Sequence, residues 1–255
     1  MRFSVLGSGS GGNATLVAHA GEALLIDCGL SVRQIERRLA QLECAPHAIR
    51  AVLLTHEHDD HIAGAAALSR KYGIPLLLSH GTRAAAGERL AAAHALEVLE
   101  PECTTAVAGF AVTPVLVPHD AREPCQFIIG DGCRRLGILT DSGHITPHLE
   151  REFAHLDGLI LEFNHDPGLL ADSAYPPALK ARIAGPFGHL SNAQAAGLLA
   201  RIDTAGLRHL IAAHLSENNN RVELVADLVR ASVPASVEWA IASQHSVLPW
   251  RYLDH

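Results

Sequence analysis

The segment His56-Glu57-His58-Asp59-Asp60-His61 decides how this chain is interpreted, because three imidazoles alternate with acidic residues directly after the apolar stretch Ala51-Val52-Leu53-Leu54. In an extended segment, side chains two residues apart point the same way, so His56 and His58 can bind one ion. Asp60 and His61, which come after the following turn, can then reach a neighbouring metal position. A solvated loop would not need so many ligand types at a strand end. The segment therefore predicts a metal site suited to zinc, manganese or iron.

Length and composition allow one large core or two small ones, and we predict one. The chain has 255 residues, of which 48% are hydrophobic, and we predict a single domain over residues 1–255. Five cysteines without a C-x-x-C pair indicate neither a disulfide framework nor a thiolate zinc site. Reduced thiols, together with the lack of a signal-peptide core or membrane-length apolar run, predict a soluble, cytoplasmic protein without a membrane partner.

The net charge of −7 argues against a surface that coats nucleic acid, although it leaves room for a local basic groove. Only two residues are lysines, so arginine, the better bidentate partner of phosphate, carries nearly all of the positive charge.

A glycine-rich segment near the amino terminus imitates a dinucleotide-binding motif. Gly7, Gly9 and Gly12 fit the spacing G-x-G-x-x-G, which requires a helix to begin at the last glycine. The residues that follow are β-branched and strand-like, and we expect a hairpin over residues 14–18 and 23–26. The pattern therefore favours a loop between strands over a nucleotide-binding fold.

Further elements alternate along the chain. We predict helices from the capping box at Ser31 to about residue 43, up to Gly73, over residues 84–96, after Ser191 and after Asn220. Strands are expected at residues 3–6, 75–78, 112–117, 126–129, 136–139, 159–163, 209–213 and 237–241. Hairpins followed by strand-helix alternation predict mixed sheets covered by helices, an α/β protein.

Single polar residues follow four of the predicted strands. Asp27, His119, Asp141 and His214 each come directly after an apolar run. One such residue is usually a cap or a turn residue. Four of them in a chain that also carries the 56–61 segment indicate that strand ends meet at one sheet edge.

The order H-x-H-x-D-H, then His119, Asp141 and His214, with Asp27 upstream, resembles the metallo-β-lactamase superfamily over essentially the whole chain. The resemblance implies a four-layer αββα sandwich with two mixed β-sheets and two divalent metal ions. Asp27 would orient a ligand histidine. Asp141 stands where true β-lactamases have a cysteine, so hydrolysis of antibiotics is not expected. The implied ligands are His56, His58 and His119 for one ion, Asp60, His61 and His214 for the other, and Asp141 between them.

Within the superfamily the chain resembles the YycJ/WalJ-type bacterial proteins, which are associated with DNA exonuclease activity. The resemblance is carried by Leu161-Glu162-Phe163-Asn164-His165-Asp166, by Gly188-His189-Leu190-Ser191-Asn192, by His214-Leu215-Ser216-Glu217-Asn218-Asn219 and by the opening glycine-rich segment. It implies a nucleic acid, DNA, as the substrate.

The expected reaction is attack of a metal-bridging hydroxide on a phosphodiester, since two adjacent cations can clamp the attacking and leaving oxygens. Asp60 would steer the hydroxide while binding metal. His189 would protonate the leaving group or bind the phosphate, unless it only flanks the helix capped by Ser191. Lys180 and Arg182 could steer a phosphate backbone, although a charge pair on a solvated helix is the commoner explanation. Possible substrate-binding residues are Asn164, His165, Ser191, Asn192 and Asn218, of which several also suit turns and strand ends.

Two alternative functions remain open at this point. The same ions could serve a small-substrate metallohydrolase acting on a cyclic phosphodiester or a glyoxalase-type thioester, which the negative charge favours. The chain could also be a non-catalytic metal-binding protein, against which the intact set of ligand-type residues argues.

Overall fold

The computed structural model describes residues 1–254. In that range the first sheet comprises β1 (Arg2–Gly7), β2 (Ala14–His19), β3 (Glu22–Ile26), β4 (Ile49–Leu53), β5 (Leu76–Leu78), β6 (Leu96–Val98) and β14 (Arg251–Tyr252). The second sheet comprises β7 (Thr105–Val107), β8 (Phe110–Leu116), β9 (Cys125–Gly130), β10 (Arg135–Leu139), β11 (Gly158–Glu162), β12 (His209–Ala213) and β13 (Glu238–Ile241). Their spatial orders are β14-β1-β2-β3-β4-β5-β6 and β13-β12-β11-β10-β9-β8-β7.

The two sheets are mixed in the same way. In the first, β14, β1, β2 and β3 are antiparallel neighbours, while β3 to β6 run parallel. In the second, β7 to β10 are antiparallel and β10 to β13 are parallel. Parallel neighbours end at the same sheet edge, so β3 and β4 of one sheet and β10, β11 and β12 of the other present their carboxyl ends together.

Alternating side chains divide the strands between three apolar cores. Phe3, Val5 and Ile160 pack between the two sheets. Leu25 faces the other way, towards the helices that cover the first sheet, and Leu161 faces those that cover the second sheet. Three cores separate four layers. The predicted α/β, four-layer αββα sandwich with two mixed sheets is therefore confirmed.

The helices cover the outer faces of the sheets and form several connections. They are α1 (Val32–Gln41), α2 (Asp59–Ile62), α3 (Ala65–Tyr72), α4 (His80–Ala86), α5 (Pro147–Glu152), α6 (Pro167–Asp172), α7 (Pro177–Ile183), α8 (Asn192–Leu199) and α9 (Val222–Ser232). The predicted capping boxes at Ser31 and Ser191 are both present. The order of elements also confirms that the glycine-rich segment leads into strand β2 and not into a helix.

The helix predicted over residues 84–96 is wrong. α4 covers only His80–Ala86 and is followed by the capping residue Gly87, whose positive φ of 51° is readily adopted only by glycine. A short 3₁₀ segment, Gly87–Leu90, follows, and Leu96 pairs with β5 as the first residue of β6. Alanine-rich composition favoured a helix, but glycine and the parallel strand pairing override that preference. In the described chain no helix combines the length and apolarity that a membrane crossing requires.

Candidate active site

The site lies where strands of both sheets end, and its backbone is unusual. Asp27 follows β3, Asp141 comes shortly after β10, and His214 follows β12. These three residues have positive φ angles of 59°, 50° and 55°. Left-handed backbone is uncommon outside glycine and is often retained at functional sites. The turns aim the three side chains towards the same place.

One group of imidazoles comes from both sheets. His56 Nε2 lies 3.0 Å from His58 Nδ1, which in turn lies 3.3 Å from His119 Nε2. His119 must donate from Nδ1 to the carbonyl of Gly188 at 3.0 Å, because a carbonyl oxygen can only accept. That bond leaves Nε2 as the lone-pair nitrogen, facing the other two rings. Three converging ring nitrogens suit a cation between them.

A second group lies beside the first. Asp60 Oδ2 is 3.3 Å from His61 Nε2 and 3.5 Å from His214 Nε2. Asp141 lies next to both imidazoles, with its Oδ2 3.4 Å from His61 Nε2 and its Oδ1 3.5 Å from His214 Nε2. Asp141 also groups with His56 and His61 within ligand distance. The structure thus places Asp141 between the two groups, as the resemblance implied, while its role as a shared ligand remains a prediction.

Two buried polar atoms in the site lack a hydrogen-bond partner among the described residues. They are Oδ2 of Asp141 and Nε2 of His214. A buried acceptor without a partner costs free energy, about 1–3 kcal/mol for a neutral group and more for a charged one. Both atoms point into the cluster, where a cation would satisfy them. These residues therefore fit divalent metal ions.

Asp27 and Thr55 orient the imidazoles from behind. Asp27 Oδ2 accepts a hydrogen bond from His61 Nδ1 at 2.7 Å, and its Oδ1 accepts from the backbone N–H of Thr55 at 2.9 Å. The Thr55 hydroxyl lies 3.0 Å from His56 Nδ1. Both rings consequently present Nε2 to the cluster, and the bond from His61 is the contact that the predicted orienting role of Asp27 requires.

Glu162 is a site residue for which the sequence analysis assigned no role. Its carboxylate is fully buried at the end of β11. Oε1 accepts from His189 Nδ1 at 2.8 Å and lies 3.2 Å from His214 Nδ1. Oε2 accepts from the backbone N–H of Leu190 at 2.9 Å. The signal was available, since an acidic residue follows the apolar run Leu159-Ile160-Leu161, just as Asp27 follows the apolar residues of β3.

The buried charged groups of the site favour binding of a cation. Burial, together with the neighbouring imidazoles, holds the pKa of His56 well below its ordinary value, so its ring stays neutral. Burial also opposes the charged form of His61, but the carboxylates of Asp141, Asp27 and Asp60 outweigh it and raise the pKa of His61 well above the ordinary value. Carboxylates that stabilise an imidazolium would also stabilise a metal cation in its place.

His189 lies beside the two groups, at the wall of the cavity. Its ring stacks on His214 with centroids 5.3 Å apart. Burial disfavours its charged form, but Glu162 and Asp141 outweigh burial and raise the pKa of His189. Because Nδ1 is held by Glu162, Nε2 is the ring nitrogen that can meet a substrate.

A cavity of about 400 Å³ opens above the cluster, and the structure brings few of the predicted substrate-binding residues to it. Asn164 lines the cavity and donates to the carbonyl of His214 at 3.0 Å. Asn218 does not line the cavity, but it donates at 2.9 Å to the hydroxyl of Tyr175, which does. His165, Ser191 and Asn192 do not line it. They are buried, and Ser191 caps α8 while Asn192 exchanges amide hydrogen bonds with Asn220.

Comparisons with known proteins agree with this architecture. The family described as the metallo-beta-lactamase superfamily matches residues 7–175. Exodeoxyribonuclease YycJ of Bacillus anthracis is 32% identical over 226 residues, 88% of this chain and 86% of that protein. Exodeoxyribonuclease WalJ of Streptococcus pneumoniae serotype 2 is 31% identical over 249 residues, 94% of this chain and 93% of that protein.

Among solved structures, zinc-bound PqqB from Methylobacterium extorquens superposes with a TM-score of 0.74 at 23% identity, covering 97% of this chain and 99% of that one. At that identity the likeness concerns the fold alone. The matches to the two sequence relatives, over most of both chains, also identify the family within the superfamily. The chain belongs to the metallo-β-lactamase superfamily of metal-dependent hydrolases and, within it, to the YycJ/WalJ family.

Proposed function

We propose that this protein is a cytoplasmic DNA exonuclease that hydrolyses phosphodiesters with two divalent metal ions, either zinc, manganese or iron. The observation that carries the proposal is the pair of ligand groups that meet at Asp141 on the floor of an open cavity. Similarity to two relatives named exodeoxyribonucleases, over most of their length, supports DNA as the substrate.

The ligand groups divide between the two ions. His56, His58 and His119 would hold one, and Asp60, His61 and His214 the other, with Asp141 shared between them. When bound, such ions supply an activated water at neutral pH and positive charge that stabilises the attacking and leaving oxygens.

The chain's own residues would orient the reactants. Asp60 lines the cavity, so its carboxylate can accept a hydrogen bond from the attacking water. His189 would donate a proton from Nε2 to the leaving oxygen, because Glu162 fixes its Nδ1. General acid catalysis of this kind typically contributes about 10²–10⁴-fold.

The test is a nuclease assay with purified protein supplied with manganese or zinc. Linear duplex DNA carrying 5′-phosphates should be shortened from its ends, releasing small products. An Asp141→Asn variant should be inactive, whereas Asp227→Asn, a matched change on the exposed face of α9, should be fully active.

The same preparations decide between the proposal and its rivals. Intact DNA together with hydrolysis of a glutathione thioester or a cyclic phosphodiester would favour the small-substrate hydrolase. A protein that binds metal and hydrolyses none of these substrates would favour the non-catalytic alternative. Either result contradicts the nuclease proposal.

A further inference from the structure

One wall of the cavity is apolar, although the floor beneath it is built from imidazoles and carboxylates. Tyr175, Leu179 and Ile183 all line the cavity. Leu179 and Ile183 are four residues apart in α7 and therefore lie on the same face of that helix, while Tyr175 is in the bend that precedes it. No residue of α7 is fully buried, so this face is available to a ligand and is not consumed by the protein core.

The proposed reaction at the phosphate does not require apolar side chains in the cavity wall. Phosphoryl transfer depends on positioned positive charge, which the metal ligands and the nearby Arg182 address. Apolar side chains in a ligand site instead meet apolar parts of the ligand. Leu215, from the connection after β12, also lines the cavity and adds to its apolar surface.

The wall is fixed relative to the catalytic floor. The carbonyl of Ile183 accepts a hydrogen bond from the backbone N–H of His189 at 2.9 Å. A Cβ atom on Gly188 would overlap the carbonyls of Arg182 and Ile183, so only glycine permits this close approach. The end of α7 is thus attached directly to the segment that carries His189.

A hydrogen bond and an ion pair between side chains also hold Tyr175 and Arg182 in place. The Tyr175 hydroxyl accepts from Asn218, in the connection that follows His214. Nε of Arg182 is paired with Asp120, the residue after His119. Because Nε makes that contact, the terminal nitrogens of Arg182 can meet an anion at the rim. The aromatic ring and the guanidinium are therefore both positioned beside the metal-ligand groups.

We propose that this apolar wall, Tyr175, Leu179 and Ile183, is a subsite for one nucleoside next to the scissile phosphate. The base stacks on Tyr175, the sugar packs against Leu179 and Ile183, and Arg182 contacts an adjoining phosphate. The inference rests on the proposed function and specifies which part of the substrate the apolar wall binds. A cavity of about 400 Å³ is near the small end of the range of about 300–1,000 Å³ for ligand pockets, so it suits a single nucleotide unit and not a length of duplex.

The test compares two phosphodiesters with the same leaving group. Thymidine 5′-(p-nitrophenyl phosphate) carries a nucleoside, and methyl p-nitrophenyl phosphate does not. Base stacking on an aromatic side chain contributes about 1–3 kcal/mol, so Tyr175→Ala should lower kcat/KM for the thymidine ester about 5–150-fold, chiefly through KM. The methyl ester should be hydrolysed at the wild-type rate.

Two variants control for structural effects. Tyr175→Phe keeps the ring and loses only the hydroxyl, so it should retain most of the preference for the thymidine ester. Tyr252→Ala removes an exposed tyrosine in β14, far along the chain from α7, and should change neither reaction. Equal loss on both esters in Tyr175→Ala, or no loss on the thymidine ester, would overturn the subsite while leaving the nuclease proposal intact.

A binding measurement separates failure of the subsite from failure of the function. If the wild-type protein hydrolyses neither ester, calorimetry with thymidine 5′-monophosphate and with inorganic phosphate still reports on the wall. The subsite requires the nucleotide to bind more tightly than phosphate, and Tyr175→Ala to remove that difference. Equal affinities in the wild-type protein would contradict it.

Discussion

The two sheets supply the site in different ways. The first sheet provides His56, His58, Asp60 and His61 on one continuous segment after β4. The second sheet provides its residues singly, each from a different strand end or connection: His119, Asp141, Glu162, His189 and His214. A continuous segment is positioned by its own turn, whereas dispersed residues meet only when the sheet has formed. The second half of the site therefore depends more on tertiary structure than the first.

The supports of the two halves differ accordingly. On the first sheet, Asp27 and Thr55 fix the imidazoles of His61 and His56, which are only five residues apart. On the second, Glu162 connects His189 and His214, which are 25 residues apart in the numbering, and the carbonyl of Gly188 fixes His119. Substitutions that affect one support should consequently affect one half of the site more than the other.

The largest effect is expected from Asp141→Asn, because Asp141 contacts His61 and His214 of the second group and lies within 4.8 Å of His56 of the first. An amide can neither neutralise nor bridge two cations, so we expect hydrolysis to fall to the level of a reaction without enzyme. Nuclease assays with matched metal loading measure the change. Activity within tenfold of the wild type would show that the two halves do not share this residue.

The next effect is expected from His189→Gln, which removes the proposed proton donor. Hydrolysis of DNA should fall about 10²–10⁴-fold, while metal content stays unchanged. Bis-p-nitrophenyl phosphate has a leaving group that needs no proton, so its hydrolysis should fall much less. The matched control is His245→Gln, since that side chain is 80% exposed. Equal losses on both substrates would contradict proton donation by His189.

A smaller effect is expected from the two supporting carboxylates. Residues that orient metal ligands typically change metal affinity or activity about 10–100-fold when substituted. Asp27→Asn should weaken binding of the ion proposed for the group with His61, whereas Glu162→Gln should alter the orientation of His214 and also of His189, the proposed proton donor. Metal affinity and the ratio of DNA to bis-p-nitrophenyl phosphate hydrolysis separate the two variants. If both change the same quantities equally, the supports are not specific to each half.

The smallest effect is expected from the paired helix caps, Ser31 of α1 and Ser191 of α8. Each side chain accepts from the third residue of its helix, and replacement by alanine should lower the free energy of unfolding by about 1 kcal/mol. Denaturant unfolding measures the free energy of unfolding of Ser31→Ala and Ser191→Ala, and nuclease assays measure their activity. A loss of activity in Ser191→Ala alone would indicate substrate contact instead of capping.

The same difference between the halves explains how far the sequence predicted the site. The 56–61 segment was visible because its ligands are adjacent, and Asp27, Asp141 and His214 were visible because each follows an apolar strand. Glu162 gave the same signal without being assigned a role. The apolar wall gave no signal, because the direction in which Leu179 points depends on the packing of α7 against Gly188. Composition likewise misplaced the helix after residue 84, where Gly87 ends α4.

Metal stoichiometry tests the central claim most directly. Calorimetric titration of metal-free protein with manganese or zinc should give two equivalents per chain. His58→Ala, from the first group, and His214→Ala, from the second, should each lose one equivalent, while the exposed control His245→Ala keeps both. A single equivalent in the wild-type protein, or two in both site variants, would contradict a pair of metal positions on either side of Asp141.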